Sequence, residues 1–595
     1  MLKEVSNKIL KKCGGLPLAI ISISGLLSNR PAIKEEWEKV KRSIGSALEK
    51  TKSLEGMSSI LSLSYNDLAP HLKTCLLYLS LFPEDHLIDR DRLVRRWIAE
   101  GFISEEHGQS KQEVAENYFY ELINKSMVQP VDIEYDGKVR ACRVHDMMLE
   151  IIISKSNEDN FTTVVGGGQT SLPNHQGSIR RLSIQHIDKK VASELANVDL
   201  SHVRTLIVMP SCCVTHLPSL ERFEALRVLD FEGCEDLKDY DIKGMGKLFQ
   251  LKYLSFKGTN ISMLPSGILL LDNLETLDLQ DSYVRELPAG ITRLTTLCYL
   301  IGSLEKLPNG IGGMMNLQLM PGFSITSQEI DVLEDLGNLT SLEELNVDLD
   351  YKVSCKDKRC EKEAFLSSLC KLGTCKLRSL HIEARRGRGS LDFLDSWSPL
   401  PSSLQRFWAP YPNSFPNVPK CITPALSNLA DLCICMTELT KDGLLTLGKL
   451  PSLLCLKLWV SKKFVVTVQA TSFPNLKELY FRKIEQAYVS FVKGSAPRLE
   501  EISNMPFSVS AAKANKFYLG IHHLPCLRRA YIRLDGEDAT PSERKAAAAA
   551  IRKEADANPN NPAVTFEEEP EEEDNEETGG SDVEKSKEDG IADED

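Results

Sequence analysis

Two hydrophobic rhythms divide the chain. Up to about residue 160, apolar positions recur at spacings of three and four. Trp37, Val40 and Ile44 share one helical face; Leu72, Cys75, Leu76, Leu79 and Phe82 share another, closed by Pro83. Asp89 is placed to cap a helix through Leu93, Val94 and Trp97, with Gly101 as its stop. Residues 127–144 alternate instead, around Asp136-Gly137, the strongest short hairpin signal. Helices followed by a hairpin predict a small winged-helix domain over 51–165.

Beyond about residue 175 the rhythm becomes L-x-x-L-x-L. It recurs as Leu226-Arg-Val-Leu-Asp-Phe, Leu251-Lys-Tyr-Leu-Ser-Phe, Leu274-Glu-Thr-Leu-Asp-Leu, Leu342-Glu-Glu-Leu-Asn-Val and Leu476-Lys-Glu-Leu-Tyr-Phe, among others. Most steps fall at about 23–25 residues, inside the leucine-rich-repeat range. Such a strand points alternate apolar residues inward and cannot bury them alone, so neighbours stack into a solenoid. Cys234 takes the slot that tucks a side chain under the turn. The array, 166–536, is predicted to be a bent horseshoe, interrupted by a Lys/Cys-rich insertion at 351–375 and a Pro- and aromatic-rich stretch at 397–419. Outward strand residues such as Lys252, Tyr253, Glu275 and Thr276 are the expected protein-binding positions. The fold class is therefore α/β: a winged-helix domain followed by a leucine-rich-repeat solenoid.

Charge changes the picture at one end. The net charge is −13, yet residues 567–595 alone hold 16 Asp/Glu against 2 Lys. The body is close to neutral, and the segment 537–595 is expected to be a disordered acidic tail. The 16 Cys show no paired CxxC spacing for zinc and mostly sit in apolar runs, as reduced thiols do. No run reaches the roughly 18–20 apolar residues of a membrane span, and a cytoplasmic protein is expected.

Candidate chemistry is sparse. The sequence holds no G-x-x-x-x-G-K-[ST], no H-E-x-x-H and no G-x-S-x-G, and no enzyme is expected. His145-Asp146, read as neighbours at a strand end, would face opposite ways and not form a relay. Asp89-Arg-Asp-Arg-Leu-Val-Arg-Arg-Trp97 has the arginines of a DNA-reading helix, but interleaved Asp and a core-seeking apolar face argue against nucleic acid as a partner.

The motifs, in order, resemble those of plant nucleotide-binding leucine-rich-repeat disease-resistance proteins of the coiled-coil class. Gly14-Gly-Leu-Pro-Leu-Ala-Ile20 resembles their GLPL motif. Leu61–Asp85 and Leu93-Val-Arg-Arg-Trp-Ile-Ala-Glu-Gly-Phe102 look like the opening of their winged helix. Val144-His145-Asp146 resembles their Met-His-Asp motif. The resemblance implies that residues 1–50 are a remnant of the nucleotide-binding module, the chain starting after its P-loop half. It implies an ADP/ATP site in which Gly15, Leu16, Pro17 and Leu18 line the adenine side and His145, with Asp146, reaches the phosphate. It also implies a nucleotide-gated immune receptor whose repeats sense a pathogen effector or a guarded host protein, with self-association open. A non-switching recognition module, decoy or pseudogene product is the alternative. Phosphate affinity comes mainly from a backbone cradle and a Lys. His145 alone supplies about 1.5–3 kcal/mol, below the roughly 4 kcal/mol of a millimolar complex. Weak or absent nucleotide binding is expected.

Overall fold

The computed structural model describes residues 2–567 apart from 13–16, 29, 49–60, 167–177, 211, 213, 350–358, 384–388, 411–413, 483–486, 514 and 536–538. Three helices lead: Leu2–Lys12, Pro17–Ser28 and Lys34–Leu48. Pro17 opens the second, where its missing N–H costs nothing. Val5, Ile9, Ala19, Ile23 and Val40 pack into the same core as Leu72, Trp97, Phe119 and Leu149. The division expected at residue 50 is therefore not a division of cores.

The winged helix follows the expected pattern. Helices Pro70–Leu77, Arg90–Glu100, Lys111–Asn124 and Asp146–Glu158 surround a three-stranded antiparallel sheet. In it Val139–Arg143 lies between Ile88–Asp89 and Gln129–Ile133. The turn of the wing holds Gly137 at φ +85°, and Asp136 Oδ1 accepts the Lys138 N–H at 2.9 Å. Asp89 caps the Arg90–Glu100 helix by accepting the Arg92 N–H at 2.9 Å, and Gly101 ends it at φ +84°. Leu93, Val94 and Trp97 are buried, as their spacing requires.

The repeats form one long ladder of mostly parallel strands. Seven run from Thr163–Val165 to Tyr299–Ile301. Leu319 bridges Tyr299 to Glu344 and so leads into the second run, which reaches Arg529–Asp535 and Ala563–Glu567. Leu229, Leu254, Leu277 and Leu300 stack in register inside. Cys234 is buried, its thiol facing the Val208 carbonyl at 3.4 Å. The first strand, at Thr163, lies ahead of the expected boundary at 165. The insertion carries the helix Arg359–Leu372, which buries Phe365, Leu369 and Leu372.

One expectation is overturned. The segment after 537 is not a tail up to residue 567. Thr540 and Glu543 form a capping box, Pro541–Asp556 is a helix, and Ala563–Glu567 pairs with Arg529–Asp535 as a further strand. The physical reason lies in the composition: the acidic run begins at 567, whereas 546–551 is Ala-rich and strongly helix-forming. Ala547, Ile551 and Ala555 seal the end of the solenoid core. Glu554 accepts the N–H groups of Leu519, Gly520 and Ile521 at 2.8, 2.6 and 3.0 Å. The acidic residues 568–595 lie outside the described residues.

Candidate functional site

The Arg90–Glu100 helix lies in the concave face of the solenoid. Its helical period places Arg92, Arg96 and Glu100 four residues apart on one face. Strand register supplies the complement. Asp230, Ser255 and Asp278 occupy equivalent positions on three adjacent strands, beside a column of Val228, Tyr253 and Thr276. Successive side chains alternate, so both columns point away from the leucine core.

Arg92 joins this lattice through every nitrogen. Nη2 donates to Ser255 Oγ at 2.8 Å and faces Asp230 at 3.4 Å. Nε lies 3.3 Å from both Asp278 and the Tyr253 hydroxyl. Nη1 pairs with Glu232. Burial opposes the charge on Arg92, yet Tyr253, Asp230, Glu232 and Asp278 hold the guanidinium protonated. Arg96 pairs with Asp230 and lies over the rings of Phe82 and Tyr253, at 5.3 and 5.5 Å. Burial pushes the Glu232 carboxyl up, but Arg92, Arg96 and Lys257 outweigh it and bring it down to about 2. For Asp278 burial wins, and its carboxyl is raised.

At its C-terminal end Glu100 pairs with Arg181 at 3.0 Å and accepts from the Thr205 hydroxyl. Arg227 donates to the Glu100 carbonyl at 3.0 Å, a cation where the helix dipole favours one. Ala99 closes the contact against Val228 and Tyr253.

The wing makes a second contact farther along the same face. Glu134 receives Arg406 Nη2 at 3.1 and 3.3 Å and pairs with Arg140. Lys457 donates to the Tyr135 hydroxyl at 3.1 Å and lies over the Tyr135 and Trp408 rings. Lys477 donates to the Tyr135 carbonyl at 3.0 Å. Between helix and wing remains a polar cleft of about 740 Å³.

The expected recognition residues separate into two kinds. Lys252 and Glu275 are half-buried and pair at 2.5 Å. Tyr253 and Thr276 point outward from the leucine core, as alternation requires, but are only 1% and 3% exposed. Tyr253 lies beneath the arginine helix, so it is not open to a partner in this arrangement. The expectation of a solvent-facing surface fails here because the chain covers its own strands. Of the four arginines that suggested DNA, Arg92 and Arg96 are directed to carboxylates of the repeats, Arg90 pairs with Asp91 of its own helix, and Arg95 lies over the Tyr299 ring.

The expected nucleotide residues are only partly in view. Gly15 and Leu16 fall outside the described residues, and Pro17 and Leu18 open a helix whose first side chains are also outside them. His145 caps the Asp146–Glu158 helix instead of ending a strand. Its Nδ1 accepts the Met147 N–H at 3.3 Å, leaving the ring proton on Nε2. Asp146 is exposed. Among the described residues of the expected site, His145 offers a single ring donor, Nε2.

Sequence reasoning missed Asp230, Glu232, Asp278, Arg406 and Lys457. A signal for two of them was present: Leu229-Asp-Phe and Leu277-Asp-Leu place an acid at the same outward position of two repeats.

The leucine-rich repeat region family matches residues 202–564, and the disease resistance protein winged helix domain family matches 81–152. Disease resistance protein Pik-2 of Oryza sativa subsp. japonica is 32% identical over 90% of this chain and 57% of its own length. Disease resistance protein RGA5 of the same organism is 33% identical over 94% of this chain and 50% of its own. The chain spans about half the length of the curated relatives it matches. A leucine-rich-repeat protein of Leptospira interrogans is similar at a TM-score of 0.34, with 17% identity over 68% of this chain and 94% of that one. Among the described residues no helix is long and apolar enough to cross a membrane.

Proposed function

The chain belongs to the leucine-rich-repeat disease-resistance family of plants, and we propose that it acts in the cytoplasm as the sensing part of an innate immune receptor. Its repeats take a pathogen effector or a guarded host protein as partner. The observation that carries this reading is the arginine helix seated in the concave face. It uses the surface on which a leucine-rich-repeat protein would bind another protein, and it does so through charged groups that a partner can compete for. Buried ion pairs of this kind contribute little net stability, because desolvation offsets their attraction. They fix which surfaces meet, and they leave a contact that a complementary surface can replace.

Glu275 pairs with Lys252 beside the covered strands, and Glu343 and Glu344 line the cleft between helix and wing, so all three lie on the face that such a partner would use. Reversing all three to Lys should abolish partner binding. A partner whose affinity is unchanged by the triple reversal does not use the concave face, and the reading then fails. Nucleotide gating belongs to this proposal only as a weak term. The purified chain, denatured and chromatographed, should release little ADP or ATP, and near-stoichiometric ADP would show that His145 and the Pro17 region build a pocket after all.

A further inference from the structure

The polar cleft between helix and wing is roofed by Asp89, Arg90, Asp91, Arg95, Gln112, Glu116 and the wing, and floored by repeat residues from Gln280 to Leu454. Nearly every charged group that lines it has a partner. Arg90 pairs with Asp91, Lys138 with Asp136, Arg378 with Glu343 and Arg406 with Glu134 and Asp431. Glu116 accepts from Gln112, Asp89 caps its helix, and His381 faces Glu383. Among the described residues two side chains stand apart, one of each sign. Arg95 is 9% exposed, and its Nε is buried without an acceptor. Its guanidinium lies 4.3 Å over the Tyr299 ring, and the side chain lines the cleft without an ion pair. Glu344 stands in the same cleft with no ion pair; burial and the Asp91 charge raise its carboxyl, and the Arg95 and Arg406 charges oppose them, so a cation beside it would be favoured.

We propose that this cleft binds a small zwitterion, with its carboxylate on the Arg95 fork and its ammonium on Glu344. A stacked guanidinium presents parallel N–H groups that match a carboxylate. Carboxylates outnumber Lys and Arg around the cleft, so a polyanion is repelled where a ligand of zero net charge is not. The volume, about 740 Å³, suits a small molecule. Arg95 belongs to the winged helix and Glu344 to the repeats. A ligand that bridges them therefore binds only the docked arrangement and stabilises it by mass action.

The test is calorimetric titration and thermal shift of the full chain with L-glutamine and triglycine. Sodium propionate and ethylammonium chloride serve as single-charge controls, each up to about 10 mM at matched ionic strength. The expected result is binding of at least one zwitterion, at least tenfold tighter than propionate. Glu344→Gln, at a water-accessible position, should remove that advantage and leave propionate binding unchanged. Arg95→Met, which keeps contact with Tyr299, should remove both. The proposal is overturned if no probe gives heat or a shift, if propionate binds wild type as tightly as the zwitterions, or if both variants bind zwitterions like wild type.

Discussion

Replacing Asp230 by Ala tests the docking of the arginine helix most directly. Asp230 is 1% exposed, pairs with Arg92 and Arg96, and accepts the Glu232 N–H at 3.0 Å. Without it, Arg92 keeps Glu232 and Asp278. Arg96, 2% exposed, keeps only Glu232, at 3.9 Å. Removing one partner of a buried ion pair costs about 3–5 kcal/mol. The remaining carboxylate and the two rings against Arg96 place the loss near the lower end, about 3 kcal/mol, or roughly a hundredfold in an equilibrium. Hydrogen exchange reads it: amides of Leu93–Glu100 should exchange roughly a hundredfold faster, while those of the distant helix Lys441–Gly448 should not change. Arg96→Met combined with Asp230→Ala removes both charges and should recover at least half of the loss. Acceleration below about threefold, or a double variant that simply adds the two single effects, would refute the claim that this pair holds helix and repeats together.

Glu554→Ala withdraws a carboxylate that accepts three backbone N–H groups. It should cost about 3 kcal/mol locally and let protease cut the Pro541–Asp556 helix; unaltered resistance would count against the cap. Glu232 is held down at about 2, below its ordinary value of 4.5. Its contribution is therefore present above about pH 4.5 and lost as pH falls toward 2, so exchange of the arginine helix should accelerate with acid more steeply in wild type than in Glu232→Gln, which lacks the contribution at every pH and exchanges faster already at about pH 7. Identical acid profiles in the exchange of Leu93–Glu100 would contradict this. Glu134→Gln leaves Arg406 and Arg140 short of a charge and should loosen the wing by about 2 kcal/mol, seen as faster trypsin cleavage at Lys138. Gly101→Ala puts a side chain on a backbone at φ +84° with Arg227 Nη1 only 3.4 Å from the new Cβ. It should lower stability by about 1–2 kcal/mol in urea unfolding, and a neutral result would mean that the helix end relaxes.

What the sequence settled by itself were the local choices. The period of two or of 3.6 decided which residues of each strand or helix face a core, and Leu229, Leu254, Trp97 and Leu93 are buried accordingly. Asp89, Gly101 and Asp136-Gly137 set the ends of the helix and the turn of the wing, because capping and left-handed backbone are chemistry within a few residues. The capping box at Thr540 and the Ala-rich run were equally legible, and the acidity that follows them concealed the signal. What covers a polar face was not legible. Periodicity says that Arg92 and Arg96 share a side and that Asp230 and Asp278 point outward; it does not say that the two sets meet, since 138 residues separate Arg92 from Asp230. Tyr253 shows the same limit: alternation places it on the concave face, and only the docked helix decides that it is buried. Burial of such groups depends on the long-range arrangement of two cores, and tertiary structure alone brings their charges within reach of each other.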